Sequence, residues 1–353
     1  MFGAKKDNST GFVHEYPWVN AQYNSKKGSE YQPKLNAAYD ANAYIADFVL
    51  IQDASFVKTL SDEKFLLSYV PQGDEFKFDT EDTQPMVGVT FNKVFMQNST
   101  GTGFNKLENV WQLTGVDSAD GKLKAVPLSY QSPLGEDINL NFLIMMTSPE
   151  ACKLLTSAYK TYFGKDYDPT DATNSKYVNI GYQFVEAYIK SVTASGTWHG
   201  SDTDEVKAIG GYTDGHAVFA GLCKFKDYPG YTQEKAEANN VPYFKDGMAI
   251  GGYNNTIEGF NGFIYNMYAL IPSTAKLPYT ACLFVRYILT SEGYAEGWGG
   301  VPGYYSANQN IATVEGDPAL ATWKTTCLVE DADYINSAFN TANKFINKAL
   351  SGK

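Results

Sequence analysis

The sequence predicts an α/β protein built as two lobes. Amphipathic helical stretches alternate with short apolar strands along most of its length. Its 353 residues, at roughly 150 per domain, make two units rather than one. No flexible linker or internal repeat separates them, which implies that the chain crosses between the lobes more than once. With 44% hydrophobic and 19% charged residues, each half can bury a core of its own.

Residues 1–33 show no clear periodicity. The spacing of Leu35, Ala38, Tyr39 and Asn42 predicts a helix from Gln32 to Tyr44. Ala46 to Asp53 reads as a short buried strand, followed by a short helix over Ser55 to Leu60 and a turn from Asp62 to Tyr69. This helix–strand–helix order predicts a parallel sheet, with ligands outside the carboxyl ends of its strands, where Gln52 and Asp53 fall. Met86 to Met96 alternates apolar and polar residues, as one long strand or a strand pair. A helix is expected over Asn105 to Leu113 and a strand over Leu123 to Leu128. That strand gives way to Ser129-Tyr130-Gln131-Ser132-Pro133, where a helix start presents free backbone N–H groups. Further helices are read at Ile138 to Met146, Pro149 to Phe163 and Tyr177 to Val192.

A polar break from Ser195 to Asp204 carries Trp198 and His199. A helix over Asp204 to Thr213 and a strand over Ala217 to Lys226 follow, and Pro229 to Pro242 looks like a surface insertion. Gly251 to Asn255 is a loop leading into an apolar strand, Phe263 to Ile271. The helix at Pro278 to Thr290 has proline in its first turn and ends at Ser291-Glu292-Gly293. Gly299 to Tyr305 reads as a loop. Asp331 caps a terminal helix whose apolar face holds Ile335, Ala338, Ala342, Phe345 and Ile346.

Composition excludes several classes. The 39 acidic residues outnumber 28 basic ones, giving a formal charge of −11, and Arg286 is the only arginine. Such a surface neither neutralises a phosphate backbone nor docks on an anionic membrane, so no nucleic-acid partner is expected. No apolar run approaches the roughly eighteen residues of a membrane span. The opening Met-Phe-Gly-Ala-Lys-Lys has no apolar stretch behind it and does not read as a signal peptide. Cys152, Cys223, Cys282 and Cys327 lie too far apart for a zinc or redox motif, and Cys152 and Cys282 are expected in the core. No nucleophile motif or phosphate loop is present, and three histidines leave little room for a triad. Asp166, Asp168, Asp171 and Asn174 lack the glycine and late glutamate of a calcium loop. No metal, cofactor or catalytic residue is expected.

Three segments carry a resemblance. The strand ending Leu270-Ile271-Pro272, the Lys276 beyond it and the helix closing with Ser291-Glu292-Gly293 are similar to the late strand–helix unit of bacterial extracellular solute-binding proteins of ABC transporters. Ala46 to Asp53, followed by Leu60 and Tyr69-Val70-Pro71, resembles that family's early strand and loop. Asn109-Val110-Trp111-Gln112-Leu113-Thr114 with Gly121-Lys122 resembles its Trp-x-Leu helix. Together these cover most of residues 45–310. The resemblance starts at about the second strand, so the usual signal and first strand–helix unit are absent or altered. It implies a periplasmic-binding-protein-like fold with a hinge and an interlobe cleft, of the iron, polyamine and sugar binder type. The tyrosine arrangement of the iron-binding branch is not present. On this frame residues 1–90 begin lobe 1, 91–262 form lobe 2, 263–320 return to lobe 1, and 321–353 make a C-terminal helical segment.

The candidate ligand residues each have two readings. Gln52 and Asp53 touch a ligand, or Asp53 caps the next helix. Tyr130 and Ser132 hold a solute, or the serines only cap a helix. Trp198 stacks on a solute while His199 donates to it, or the pair tucks against its lobe. Tyr253 and Asn254, with Asn255, reach a cleft or make a turn. Tyr304, with Tyr305, lines a rim or a loop. The resemblance implies capture of a small polar solute by hinge closure and delivery to a membrane permease, by an extracellular, cell-surface lipoprotein or periplasmic protein. Aromatic content of 15% favours a sugar, and the acidic balance permits a cationic solute such as a polyamine. A secreted carbohydrate-active hydrolase and a surface adhesin are the alternatives.

Overall fold

The structure, a computed structural model, describes residues 10–26 and 28–352. The first nine residues, including those read for a signal peptide, lie outside the described residues. In chain order the elements begin α1 (Phe12–Glu15), α2 (Gly28–Asp40), β1 (Val49–Ile51), α3 (Ala54–Asp62), β2 (Leu66–Leu67) and β3 (Val87–Asn98). They continue β4 (Leu128–Gln131), α4 (Asp137–Met145), α5 (Pro149–Phe163), α6 (Ile180–Ser195), β5 (Trp198–His199), α7 (Asp202–Ala208) and β6 (Ala217–Gly221). Then come α8 (Gln233–Asn239), α9 (Phe244–Gly247), β7 (Met248–Ile250), β8 (Gly262–Pro272), α10 (Pro278–Ile288) and α11 (Ser291–Gly297). The last are β9 (Tyr304–Ser306), α12 (Leu320–Thr326), β10 (Leu328–Val329) and α13 (Ala332–Leu350).

The chain forms two compact units: residues up to Phe91 with Tyr265–Asp317, and Asn92–Ile264 with Pro318 onward. It therefore passes from one to the other three times, within β3, within β8 and ahead of α12.

In the first unit, β1 and β2 both lie antiparallel along the second half of β8, Val49 opposite Leu270 and Leu66 opposite Pro272. The start of β3 pairs antiparallel with β9, Phe91 opposite Tyr304. The parallel arrangement expected here is therefore not formed. Two apolar strands joined by long excursions can pair antiparallel as readily as parallel, and order along the chain does not decide which. Leu35, Ile51, Phe56, Val57, Leu60, Phe65 and Leu270 make its core. Phe12 of α1 packs edge-on against Phe284 of α10. The turn expected over Asp62 to Tyr69 is confined to Glu63 and Lys64, where a left-handed φ of 60° at Lys64 ends α3 and redirects the chain, and β2 follows.

In the second unit, β6 and β7 lie antiparallel to the second half of β3. Strand β4 runs parallel to both β6 and β5, and β10 parallel to the start of β8. The core is aromatic: Phe142 and Phe219 stack at 4.2 Å, with Phe95, Phe260 and Phe263 around them. Trp111 meets Tyr159, Phe163 and Phe184 edge-on. Much of the aromatic content thus fills this core. Helix α13, capped by Asp331 as expected, buries Ile335, Ala342 and Ile346 and packs on α4 and α6.

Two expected elements differ. Where a helix was expected over Asn105 to Leu113, only a 3-10 turn, Val110–Thr114, forms. The N–H of Leu107 bonds to the Gln97 side chain, and those of Glu108 and Asn109 to the Gln112 side chain. These side chains satisfy donors that a helix would have used. Leu123 to Leu128 is not a strand either. Ser118 Oγ accepts the Leu123 N–H and Asp117 accepts that of Ala125, and β4 begins only beyond Pro127, which has no N–H to give a ladder. Cys152 and Cys282 are half-buried, while Cys223 and Cys327 are the buried pair.

Candidate functional site

The carboxyl ends of β5, β4 and β6 form a row in the second unit, the kind of edge at which α/β sheets place ligands. From β4 come Gln131 and Ser132, from β5 His199 and Gly200, and from β6 Gly221. Helix α7 begins just beyond β5, and α4 follows the turn after β4. The Ser132 N–H bonds to His199 O, and Gln131 Nε2 reaches Gly200 O at 3.3 Å. Gly196 brings the end of α6 against this layer. A Cβ there would lie 1.6 Å from the Leu128 carbonyl oxygen, so no larger residue fits.

A buried lysine anchors the edge. Lys93, from the middle of β3, is 2% exposed. Its Nζ lies 2.7 Å from Asp202 Oδ1, 2.8 Å from Asn139 Oδ1 and 3.5 Å from Gln131 Oε1. Asp202 Oδ2 accepts the Gly221 N–H, so one aspartate ties α7 to both β3 and β6. Burial pushes the Lys93 ammonium down, but the charges of Asp202 and Glu136 overcome it and hold the group above the ordinary lysine value. Beside the pair, Glu205 is fully buried. Burial, then the Asp202 charge, hold its carboxyl well above the usual range.

The residues singled out in sequence fall in both units. In the first, Asp53 caps α3, accepting from the N–H groups of Ser55 and Phe56, the Ser55 hydroxyl and Gln32 Nε2. Gln52 beside it is half-buried. Tyr304 sets its ring edge-on to Phe91, 5.2 Å between centroids, and Tyr305 is buried.

In the second unit, Tyr130 is fully buried and its hydroxyl donates to Asn139 O. Trp198 Nε1 donates to Thr193 Oγ1. His199 Nε2 lies 3.1 Å from the Tyr212 hydroxyl, and burial lowers its pKa, with Asp204 opposing. Ser132 Oγ accepts weakly from the Leu134 N–H, at 3.4 Å. Tyr253 packs on Trp323, and Asn254 closes its own turn by bonding Ile250 N–H and Met248 O. The edge thus gathers Tyr130, Ser132, Trp198 and His199. Tyr253 and Asn254 sit in a separate turn before β8, and Gln52, Asp53 and Tyr304 belong to the other unit.

Known structures share this architecture. The agropinic-acid complex of AgtB from Agrobacterium tumefaciens R10 matches over 99% of this chain and 94% of its own, at 13% identity and a TM-score of 0.59. Iron-bound HitA from Pseudomonas aeruginosa matches over 96% and 92%, at 11% identity and a TM-score of 0.61. An ABC transporter substrate-binding protein from Bradyrhizobium japonicum USDA 110 matches over 98% and 94%, at 11% identity and 0.59. The fold is that of the periplasmic binding proteins. No protein-family model and no curated sequence matches the chain.

Two cavities inside single units are modest. One in the first unit, lined by Ser61, Leu66, Tyr69, Thr83, Met86 and Val285, holds about 80 Å³, against roughly 300–1,000 Å³ for solute pockets. A groove of about 290 Å³ on the 233–246 segment of the second unit is lined by exposed Glu237, Asn240 and Asp246 and by half-buried Tyr243. No residue predicted to bind lines either one.

Sequence reasoning missed Lys93, Asn139, Asp202 and Glu205. Lys93 occupies a polar position of an alternating strand and so reads as solvent-facing. Its one available signal was the apolar company in Phe91-Asn92-Lys93-Val94-Phe95.

Proposed function

We propose that the protein captures a small polar solute and delivers it to the membrane permease of an ABC transporter, outside the cytoplasmic membrane. The observation that carries this reading is the periplasmic-binding fold in a chain that passes three times between two units, each with its own core. The polar strand edge around Gln131, Ser132, His199 and Asp202 supports it. In this reading a solute touches both units and so favours a closed state over an open one, a population shift that signals occupancy to the permease. Gln52 and Tyr304 serve from the first unit, with Ser132, Trp198, His199 and Tyr253 from the second. Asp53, Tyr130 and Asn254 act by shaping the turns that present them.

The ligands named for the structural neighbours are chemically diverse, agropinic acid and iron among them, and carry no single solute over to this chain. The net charge of −11 and the lone arginine favour a neutral sugar or a cationic solute such as a polyamine over an anion. Small-angle scattering across a panel of sugars, polyamines and amino acids tests the proposal. A solute that is captured shrinks the radius of gyration. An unchanged radius at saturating occupancy contradicts hinge closure and favours a rigid binding module.

A further inference from the structure

We propose that Glu205 is a proton-operated latch on the start of α7: neutral, it lets the helix lie against β4, and ionised, it drives the 199–205 segment, Asp202 with it, off Lys93. Glu205 is fully buried, and neither of its carboxyl oxygens has a hydrogen-bond partner among the described residues. The Gln131 N–H faces it without reaching hydrogen-bond geometry. Lys93 is the cation facing it, and an ammonium has three N–H donors. All three are directed elsewhere, to Asp202, Asn139 and Gln131.

The other facing groups do not help. Asp202 lies one helical turn earlier on α7, and Asp204 is also close, so both repel a second carboxylate. Tyr130 gives its hydroxyl hydrogen to Asn139 O, and Tyr188, fully buried, has an unpartnered hydroxyl that burial keeps protonated. An ionised Glu205 would therefore be a desolvated carboxylate with no hydrogen bond, facing a cation already paired with Asp202, a state that proteins avoid by keeping the proton.

The sign follows from linkage. A carboxyl raised above its unfolded value binds its proton more tightly in the folded state. Its contribution is fully present below the unfolded glutamate range and is lost as pH rises through the folded value. Alkaline pH thus loosens the edge that holds Gln131, Gly200 and Asp202. The latch stands whether or not that edge binds a solute, so its failure and that of the transport reading are separable.

The test uses the full chain and needs no ligand. Infrared difference spectra at neutral pH, wild type minus Glu205→Gln, should show the carbonyl stretch of one protonated carboxyl. Glu205→Gln should melt about 2–4 °C above wild type at pH 8, with the gain vanishing near pH 4.5. Hydrogen exchange of the 199–205 amides, corrected for intrinsic rate, should accelerate with pH in the wild type and not in the variant. If Glu205→Gln does not fold, Glu205→Met supplies the reference spectrum. Absence of the protonated band, or an exchange profile identical in wild type and variant, overturns the proposal.

Discussion

Two aspartates, Asp53 and Asp202, each stand just past a strand and at the start of a helix, and the protein handles them in opposite ways. Asp53, in the first unit, is satisfied locally: two amides and a hydroxyl within three residues, plus Gln32 on the preceding helix. Asp202, in the second, depends on Lys93, 109 residues away, and on Gly221. A cap stabilises one helix end, whereas a buried ion pair ties three elements and leaves each charge dependent on the other.

That contrast sets the order of effects. Lys93→Met leaves Asp202 buried and unpaired and should lose about 3–5 kcal/mol of stability in urea unfolding. The double variant Lys93→Met with Asp202→Leu should recover most of that loss, because a well-packed apolar pair replaces a buried ion pair at little cost. A double variant as unstable as the single one would show that Lys93 acts through Asn139 and Gln131 instead. Asp53→Ala should cost about 1–2 kcal/mol, the loss of a cap, and be local to α3 by hydrogen exchange. Ser132→Ala should fall within about 0.5 kcal/mol of wild type, since its hydroxyl makes only a long bond.

The same contrast explains what was legible. Asp53 and Asp331 were visible as caps because the groups they serve lie two or three residues on. Helices α5, α6, α10 and α13 were visible because a buried face repeats with the helical period, strand β3 because apolar and polar residues alternate in its sequence although all of them are buried, and β8 because its apolar run is continuous. Strand direction was not visible, since neither β1 nor β8 carries a residue that reports its neighbour. The extended stretch from Asn105 to Asn109 looked helical because Gln97 and Gln112, which take its amide hydrogens, announce nothing of that role in sequence. Of the candidate strand edge, Trp198 and His199 were marked by their polar break and Ser132 by the Ser-x-x-Ser-Pro turn, while the Lys93 pair that anchors the edge is a long-range fact.

A thermal-shift screen tests solute capture. The panel is sugars, polyamines, amino acids, thiamine and metal ions, each added to the folded protein. A solute at a hundred times its dissociation constant adds about 2.7 kcal/mol, which raises the melting temperature by several degrees. The account predicts such a rise for one chemical class, with sugars or polyamines ahead of anions. No shift with any member, from a sample that melts cooperatively, contradicts it.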